Sequence, residues 1–336
     1  MSEDPSRTIE KALSLNLDPL KYGTIVEIGA GQEVARWFFQ AGAAAGTIAK
    51  TMSAYDMQIS DQIYGVSADQ RYVSRARLKS MLDHEFDLLT SRIGDHRPAD
   101  SRFFAFANTV AAQGFNKRSD CHGWLGIRLQ MTPQAEPDDI ILHVQMLDET
   151  NLDQQEALGI FGVNLVYGAY HHLDDPKRFL KGLMDSLRWG RIEVDMIEMR
   201  GPNLGPFDDR LMALELVKEG LTRAVLFDPD GNVVIPAEGF YKRRVLAMRG
   251  KFHTIHQSDI DMFAHARHRF QEDYGKEARE DLCVTELTMA QFADDRKVDT
   301  GDFLARTDRL AAAGFFVLVS DFFRFFRVRQ YFASYS

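Results

Sequence analysis

Several things are scarce in this sequence, and each scarcity excludes something. Only two cysteines, Cys121 and Cys283, stand in 336 residues. They are too few for a disulfide scaffold and lack metal-type spacing, which implies a reduced, cytosolic protein. No apolar run approaches the ~20 residues that cross a bilayer as a helix. The leading stretch MSEDPSRTIEKALSLNLDPL is acidic, and no apolar run of signal-peptide length follows it. A soluble, cytoplasmic protein with no membrane partner is therefore expected, with residues 1–8 as a frayed leader. Basic charge is not in surplus: 40 Lys and Arg against 49 Asp and Glu leave a formal charge of −9. That balance argues against a chain-wide surface for nucleic acid or anionic lipid. Internal repeats and low-complexity segments are absent as well.

What is present suits a globular α/β protein. Hydrophobic residues make up 45% and charged residues 26%, enough for a sizeable core. Strands are read at 24–28, 102–107, 140–147, 191–199, 223–227, 232–235 and 315–319, with helical periodicity between most of them. The expectation is a mostly parallel sheet with helices on both faces and an appended C-terminal αβα portion. The domains expected are 1–200, carrying a Gly-rich loop, and a smaller α/β portion over 201–336, with RGPNLGPFDD at 200–209 as the linker.

Some helices announce their ends. Asp175-Pro176 is an N-cap followed by proline at the first helical position, and Leu180, Leu183, Met184 and Leu187 repeat at helical spacing behind it. The segment from Asp208 to Glu219 stops at Gly220-Leu221, a glycine C′ with an apolar residue after it. From Ala157 to Tyr170 the pattern is apolar nearly all round, with Gly159, Gly162 and Gly168 inside it. Such a helix must be buried, and its glycines allow another backbone to approach closely.

The most suggestive stretch is TIVEIGAGQEVARWFF, residues 24–39, a strand that turns through Gly29 and Gly31 into a helix. Glycines there expose backbone N–H groups at a helix N-terminus, where an anion is welcome. Gln32, Glu33 and Arg36 add side-chain donors and acceptors at the same mouth. A dinucleotide fingerprint needs a third glycine, where Val34 stands, and a second strand ending in an acid. QAGAAAGTIAKTMSAYDM offers no clean second strand ending in an acid. VEIGAGQE is nearer in resemblance to the first motif of methyltransferases that use S-adenosylmethionine, over eight residues; that family implies a second acid ending the next strand, and Asp56 is poorly placed for it. A Gly-x-Gly turn that serves packing alone is the competing reading.

Other motifs have plain competitors. AVLFDPDGNVV resembles the first motif of haloacid-dehalogenase-type phosphatases, with Asp228 as nucleophile and Asp230 as acid. Ser320 is the sole good strand-terminal serine for the next motif, and 16 residues remain after it. A hairpin turn at Asp-Pro-Asp-Gly is the better reading. In 252–273, Asp261, His265, His268 and Glu272 share one helical face, while Met262, Phe263, Ala266 and Phe270 are assigned to the core side. A solvated face with i,i+4 pairs is preferred to a metal site there, so no metal is expected. In NKRSDCHGWLGIRLQ, Lys117, Arg118, Cys121, His122 and Trp124 gather around a glycine, and His122 is a candidate acid–base group. Neighbouring Cys121 and His122 diverge and make no dyad. In open α/β sheets ligands lie beyond the strands' carboxyl ends, which points to Gly29–Glu33, Asn108-Thr109, Asp148-Glu149 and Ser320-Asp321. The tail DFFRFFRVRQYFASYS, rich in aromatics and arginine, must dock on the body, on another subunit or on a membrane surface.

Two long stretches, LKYGTIVEIGAGQEVARWFFQAGAAAGTIAKTMSAYDM and QQEALGIFGVNLVYGAYHHLDDP, resemble a family of uncharacterised bacterial proteins, over most of the chain. The family carries the names TonB-dependent receptor and nicotinate-nucleotide adenylyltransferase. The first implies an outer-membrane barrel of many ~10-residue alternating strands, a pattern not seen here. The second implies a nucleotidyltransferase with an H-x-G-H-type phosphate motif, and no H-x-G-H occurs. The resemblance thus implies a bacterial cytosolic protein and supplies no catalytic residue. The functional expectation is binding of a nucleotide, or another phosphorylated or adenosine-containing small molecule, at Gly29, Gly31, Gln32, Glu33 and Arg36, with transferase chemistry in view and no particular cofactor specified. Asp148 and Glu149, with Ser320 nearby, and His122 are the candidate catalytic groups. The alternative is a self-assembling scaffold, a homo-oligomer built through the glycine-bearing apolar helix and the aromatic tail.

Overall fold

The computed structural model describes residues 5–66, 70–114, 120–205, 207–274, 281–294 and 297–335. The chain forms two compact units, Met1–Phe207 and Asp208–Ser336. The first contains, in order, α1 (Thr8–Asn16), β1 (Lys21–Ile28), α2 (Glu33–Ala41), β2 (Ile48–Met52), α3 (Met57–Tyr64), α4 (Arg75–Ile93), β3 (Arg102–Ala111), β4 (His122–Leu129), β5 (Asp138–Met146), α5 (Asn151–His171), α6 (Pro176–Leu183) and β6 (Ile192–Arg200).

These six strands form one sheet in the order β2-β1-β3-β4-β5-β6. The α/β class expected from the sequence is the class observed, and the sheet is mixed. Strands β2, β1 and β3 run parallel, whereas β3, β4, β5 and β6 are joined antiparallel. The crossover helices feed the parallel half, and short connections suffice for the antiparallel half. A second strand does follow the Gly-rich loop: β2 pairs with β1 through Val26 and Met52. Its mixed composition suits a half-exposed edge strand, which is why alternation did not mark it.

Helix α5 lies under one face of the sheet and is buried from Ala157 to Ala169. Its glycines make the close approaches expected of them. A Cβ at Gly159 would fall 2.8 Å from Glu33 Cβ and 3.1 Å from the Glu33 carbonyl, and one at Gly162 would meet Val34 and Phe106. The buried Lys11 ammonium ties α1 to the same layer through Asn164 Oδ1 at 3.0 Å, the Gly182 carbonyl at 3.2 Å and Asp185 at 2.7 Å. On the opposite face α4 covers the sheet, with Leu78 and Leu82 over Gly126. Side-chain caps start the helices where polar residues precede apolar periodicity: Asp56 accepts from Ile59 N, Ser74 from Arg77 N, Thr150 from Asp153 N and Asp175 from Arg178 N.

The second unit contains α7 (Asp209–Lys218), β7 (Ala224–Phe227), β8 (Val233–Val234), α8 (Pro236–Phe240), β9 (Arg244–Arg249), α9 (Gln257–Tyr274), β10 (Asp281–Thr288), β11 (Ala293–Asp294), β12 (Lys297–Val298), α10 (Thr300–Ala312), β13 (Phe316–Ser320) and α11 (Phe325–Ala333). Its main sheet has the order β8-β7-β13-β10-β9, parallel across β13, β10 and β9. Residues of α7 and α10 share one core with Val317, Val319 and Leu287, while Phe240 and Val328 pack with Leu318, Val284 and Leu282 on the other face. That alternation along each strand gives the three αβα layers. Helix α7 ends in the expected glycine motif: Gly220 has φ +78°, its N–H bonds Val217 O, and Leu221 N bonds Leu216 O. The Asp-Pro-Asp-Gly segment is the β7–β8 hairpin, with Asp228 accepting from Asp230 N and Asn232 N.

One expectation about surfaces is revised. Met262 is 53% exposed, so the inner face of α9 is carried by Phe263, which is buried and lies 4.5 Å from the Phe315 ring between centroids. His268 and Glu272 form an exposed i,i+4 pair, and no metal-holding group of His, Cys, Asp and Glu occurs among the described residues. The aromatic tail docks on its own unit: Tyr331, Phe332 and Tyr335 surround Phe240. Phe323, Phe325 and Phe326 remain exposed beside it. No helix among the described residues is long and apolar enough to cross a membrane.

Candidate functional site

The strand-to-helix loop after β1 has the geometry of a binding turn, but this chain already engages the N–H groups of Gly31, Val34 and Ala35. Gly29 has φ +99°, and a Cβ there would lie 2.0 Å from the Val110 carbonyl oxygen, so this glycine serves packing. At Gly31, φ +78°, a Cβ would make only ordinary contact, with Gln155 Oε1 nearest at 3.8 Å. The Gly31 N–H donates to the Tyr55 hydroxyl at 2.7 Å. The N–H groups of Val34 and Ala35, in the first turn of α2, donate to the two carboxylate oxygens of Glu27 at 3.1 Å each. Asn108 Nδ2 donates to the same carboxyl at 3.2 Å, and Ser53 Oγ donates to the Glu27 carbonyl at 2.6 Å.

Glu27 is thus the anion that caps α2. All its partners are neutral, so burial dominates and pushes its carboxyl up to about 7, although the hydrogen bonds from Ala35, Val34 and Asn108 pull the other way. A phosphate at the α2 terminus would compete with Glu27 and face Glu33 beside it. The strand acid of the sequence motif is therefore turned inward, and Asp56, poorly placed as the second acid of the methyltransferase pattern, is the N-cap of α3.

Beside the loop lies an open cleft of about 300 Å³, lined by Glu33, Arg36, Trp37 and Gln40 of α2 and by Leu152, Asp153 and Glu156 of α5. Three of those side chains are carboxylates, Arg36 is the single cation, and Trp37 is a half-buried indole. Arg36 lies 3.5 Å from Glu33. Gln32 is exposed at the N-cap of α2 and makes no side-chain cap bond.

The remaining candidates separate. The register places Ile28, Ala111, His122 and Met146 at one end of the sheet, so the Gly29–Glu33 loop, His122 and Asp148 do share the rim expected from the strand ends. Asp148 is engaged there by Arg191 at 2.7 Å, which also reaches Glu156 at 3.0 Å and the Asp153 carbonyl at 2.7 Å. Arg191, just before β6, thus joins Asp148 to the first turns of α5. Glu149 is exposed next to it. Ser320 belongs to the second unit, where it is fully buried and its hydroxyl donates to Glu286 Oε1 at 2.5 Å. Asp148 and Ser320 thus belong to different units. Lys117 and Arg118 lie outside the described residues.

His122 has partners that the sequence did not reveal. Its Nδ1 lies 3.0 Å from His143 Nε2, and His143 Nδ1 lies 2.6 Å from Asp195 Oδ1. Gln145 Nε2 donates to Asp195 Oδ2 at 3.2 Å. His143 and Asp195 are buried and His122 is half-buried. The signal in the sequence was a polar residue at an inward position of each hydrophobic strand, His143 in IILHVQM and Asp195 in IEVDMIEM. Cys121 sits on the other side of the strand from His122, its Sγ 3.1 Å from Gln113 Oε1, which bears out their divergence.

The fold and the rim define a two-unit α/β protein with a polar, partly acidic cleft at the carboxyl end of its parallel strands. No family model and no curated protein sequence matches the chain. Among solved structures it is similar to the competence/damage-inducible protein CihA of Agrobacterium tumefaciens, at 16% identity and a TM-score of 0.36, over 49% of this chain and 97% of that one. A competence-damaged protein (CinA) superfamily member from Enterobacter cloacae is similar at 12% identity and a TM-score of 0.36, over 51% and 96%. Another from Escherichia coli gives 14% and 0.34, over 48% and 90%. Likeness this slight carries no function to the present chain.

Proposed function

We propose that the first unit binds an adenosine-containing small molecule in the α2–α5 cleft, as a step towards group transfer from that ligand. The observation that supports it is the cleft's lining. Trp37 offers a face on which a purine stacks, and Glu33, Asp153 and Glu156 accept hydrogen bonds from ribose hydroxyls and an exocyclic amine. Arg36 provides one site for a single carboxylate or phosphate. The acidic lining, with Glu27 seated on the α2 N–H groups, favours a ligand of low negative charge over a triphosphate.

Titration calorimetry and thermal shift with adenosine, S-adenosylmethionine, NAD and ATP test this. S-adenosylmethionine is expected to bind at least ~10-fold more tightly than ATP, about 1.4 kcal/mol, and Trp37→Ala is expected to abolish the difference from buffer. Absence of saturable binding by all four, with Gly31→Val behaving as the parent, would sink the reading.

A second reading, self-association, is favoured by one observation: Phe323 is 88% exposed and Phe325 and Phe326 about half exposed, side by side at the start of α11. Sedimentation of the full chain against a Phe323→Ser, Phe325→Ser, Phe326→Ser variant decides it. A strictly monomeric parent removes the idea.

A further inference from the structure

We propose that the start of α11 is a docking tip for an anionic bilayer surface, with Phe323, Phe325 and Phe326 entering the headgroup layer and the arginines among them meeting acidic lipid headgroups. These are the rings that the self-association reading also uses, and vesicle and sedimentation measurements separate the two. The first sign is an apolar side chain held firmly in water. Arg249 is paired with the buried Glu286 and donates to the Phe322 and Phe323 carbonyls at 2.8 and 3.2 Å. Asp321 N donates to Arg223 O at 3.0 Å, and Phe322 N donates to Ser320 Oγ at 3.3 Å. The backbone from Asp321 to Phe323 is thus pinned at several points. On it the Phe322 ring is buried, whereas the next ring, Phe323, is 88% exposed. A fixed backbone that presents a benzyl group to solvent gains nothing from packing inside its own unit.

Helix periodicity extends the tip. Val328 is buried, and Tyr331, Phe332 and Tyr335 pack round Phe240, so these four mark the inner side of α11 and the turn after it. Phe326, two residues before Val328, falls on the opposite side, and Arg329, three residues after Phe326, shares that side. Phe325 stands at the flank, its ring centre 5.4 Å from the Arg249 guanidinium. Phe325 and Phe326 are each about half exposed, and Arg324, Arg327 and Arg329 are exposed among them. The Arg327 guanidinium lies 5.4 Å from the centre of the Phe326 ring.

The charge here is opposite in sign to that of the chain, which carries −9. Residues 236–244 and 321–335, which hold α8 and α11, contain Lys242, Arg243, Arg244, Arg324, Arg327 and Arg329 against Glu238 and Asp321. Of the neighbouring bases, Arg223 pairs with Asp321 at 3.1 Å and Arg249 with Glu286 at 2.7 Å. Arg244 is half-buried over the Phe270 ring. Tyr241, Lys242 and Arg243 are exposed and follow directly on Phe240, the residue that the rings of α11 surround. Exposed aromatic rings interleaved with a local surplus of basic groups are what an interfacial anchor presents to acidic lipid. A second copy docked patch to patch would instead bring like charges together. Stacking of nucleic-acid bases uses a groove that tracks the strand, whereas Phe323 projects from the surface.

Flotation of the full chain with vesicles tests the tip, using phosphatidylcholine alone and phosphatidylcholine with about one third phosphatidylserine. Binding is expected to the anionic vesicles only, weakening at least ~10-fold when salt rises from about 0.05 to about 0.5 M. The combined Phe323→Ser, Phe325→Ser, Phe326→Ser variant is expected to lose binding. The combined Arg324→Gln, Arg327→Gln, Arg329→Gln variant is expected to bind at least ~10-fold more weakly, and both should keep the parent's circular dichroism spectrum. A parent that binds neither vesicle, or both equally, overturns the proposal, and that measurement needs no variant to fold. So does equal binding by the parent and a folded phenylalanine variant. Retention of a single-stranded oligonucleotide by the parent but not by the phenylalanine variant would assign the tip to nucleic acid. A lipid-free parent that sediments as a dimer, beside a monomeric phenylalanine variant, would assign it to a second copy. Either result overturns the proposal. None of these outcomes bears on ligand binding in the α2–α5 cleft, which belongs to the other unit.

Discussion

Two buried glutamates, one in each unit, lie near the carboxyl ends of parallel strands and meet opposite solutions. Glu27 of β1 is surrounded by neutral donors, two backbone N–H groups of α2 and the Asn108 amide. Glu286 of β10 meets a guanidinium, Arg249, through two bonds of 2.7 Å, and the Ser320 hydroxyl. Arg249 in turn donates to the Phe322 and Phe323 carbonyls. One carboxyl is held by dipoles and titrates near neutrality. The other is locked in a salt bridge that also anchors the start of the aromatic tail. The same residue type at similar topological places thus makes a titrating cap in one unit and a fixed structural clamp in the other.

The largest effect expected on this contrast comes from Arg249→Met. It leaves Glu286 buried without a countercharge and should cost the second unit about 3–5 kcal/mol. Urea unfolding followed by hydrogen exchange in β10 and β13 measures it, and adding Glu286→Gln should recover most of the loss. A change below ~1 kcal/mol would mean the clamp is dispensable.

Next comes the pH dependence of the first unit. The Glu27 carboxyl rises from 4.5 to about 7 on folding, so the folded state binds the extra proton between those values. Stability from this group is full below pH 4.5, falls as pH rises to about 7 and is then flat, a total of roughly 3 kcal/mol. Urea midpoints at pH 5 and 7.5 should differ accordingly in the parent protein and converge in Glu27→Gln. An equal slope in both would place the titrating group elsewhere.

The smallest effect is steric. Gly159→Ala gains about 1 kcal/mol of helix propensity but forces its Cβ within 2.8 Å of Glu33 Cβ and 3.1 Å of backbone. Net destabilisation of about 1 kcal/mol is expected, with hydrogen exchange at the start of α2 as the local readout. A stabilised variant would show that α2 can shift freely.

How much of this was legible in the sequence depended on how local the signal was. Strands carried by an apolar run were found, as with IILHVQM, and so were the start of α6 and the end of α7, because proline and glycine punctuate them. Strands β2, β4, β9 and β10 escaped: Gly123 and Gly126 interrupt β4, and Lys50, Arg128, Arg249 and Glu286 break the apolar pattern while pairing with partners outside their own strands. The loop after β1 was located, along with Glu33 and Arg36 of its cleft, whereas Trp37, Leu152 and Glu156 were not. No short window contains α2 and the start of α5 together. His122 was visible as a polar residue near a glycine. Its chain to His143 and Asp195 was not, because it depends on cross-strand register and on a slip of one residue.

That slip on β6 has its own meaning for how the two roles of the sheet are divided. On either side of Asp195 the ladder is regular, with Val194 opposite Val144 and Met196 opposite His143. Excising Asp195 would join those halves into an unbroken strand with every hydrophobic partner kept. The carboxylate is therefore one residue more than the ladder needs, and the contacts it makes with His143 and Gln145 are separable from the sheet's architecture by the count of a single residue.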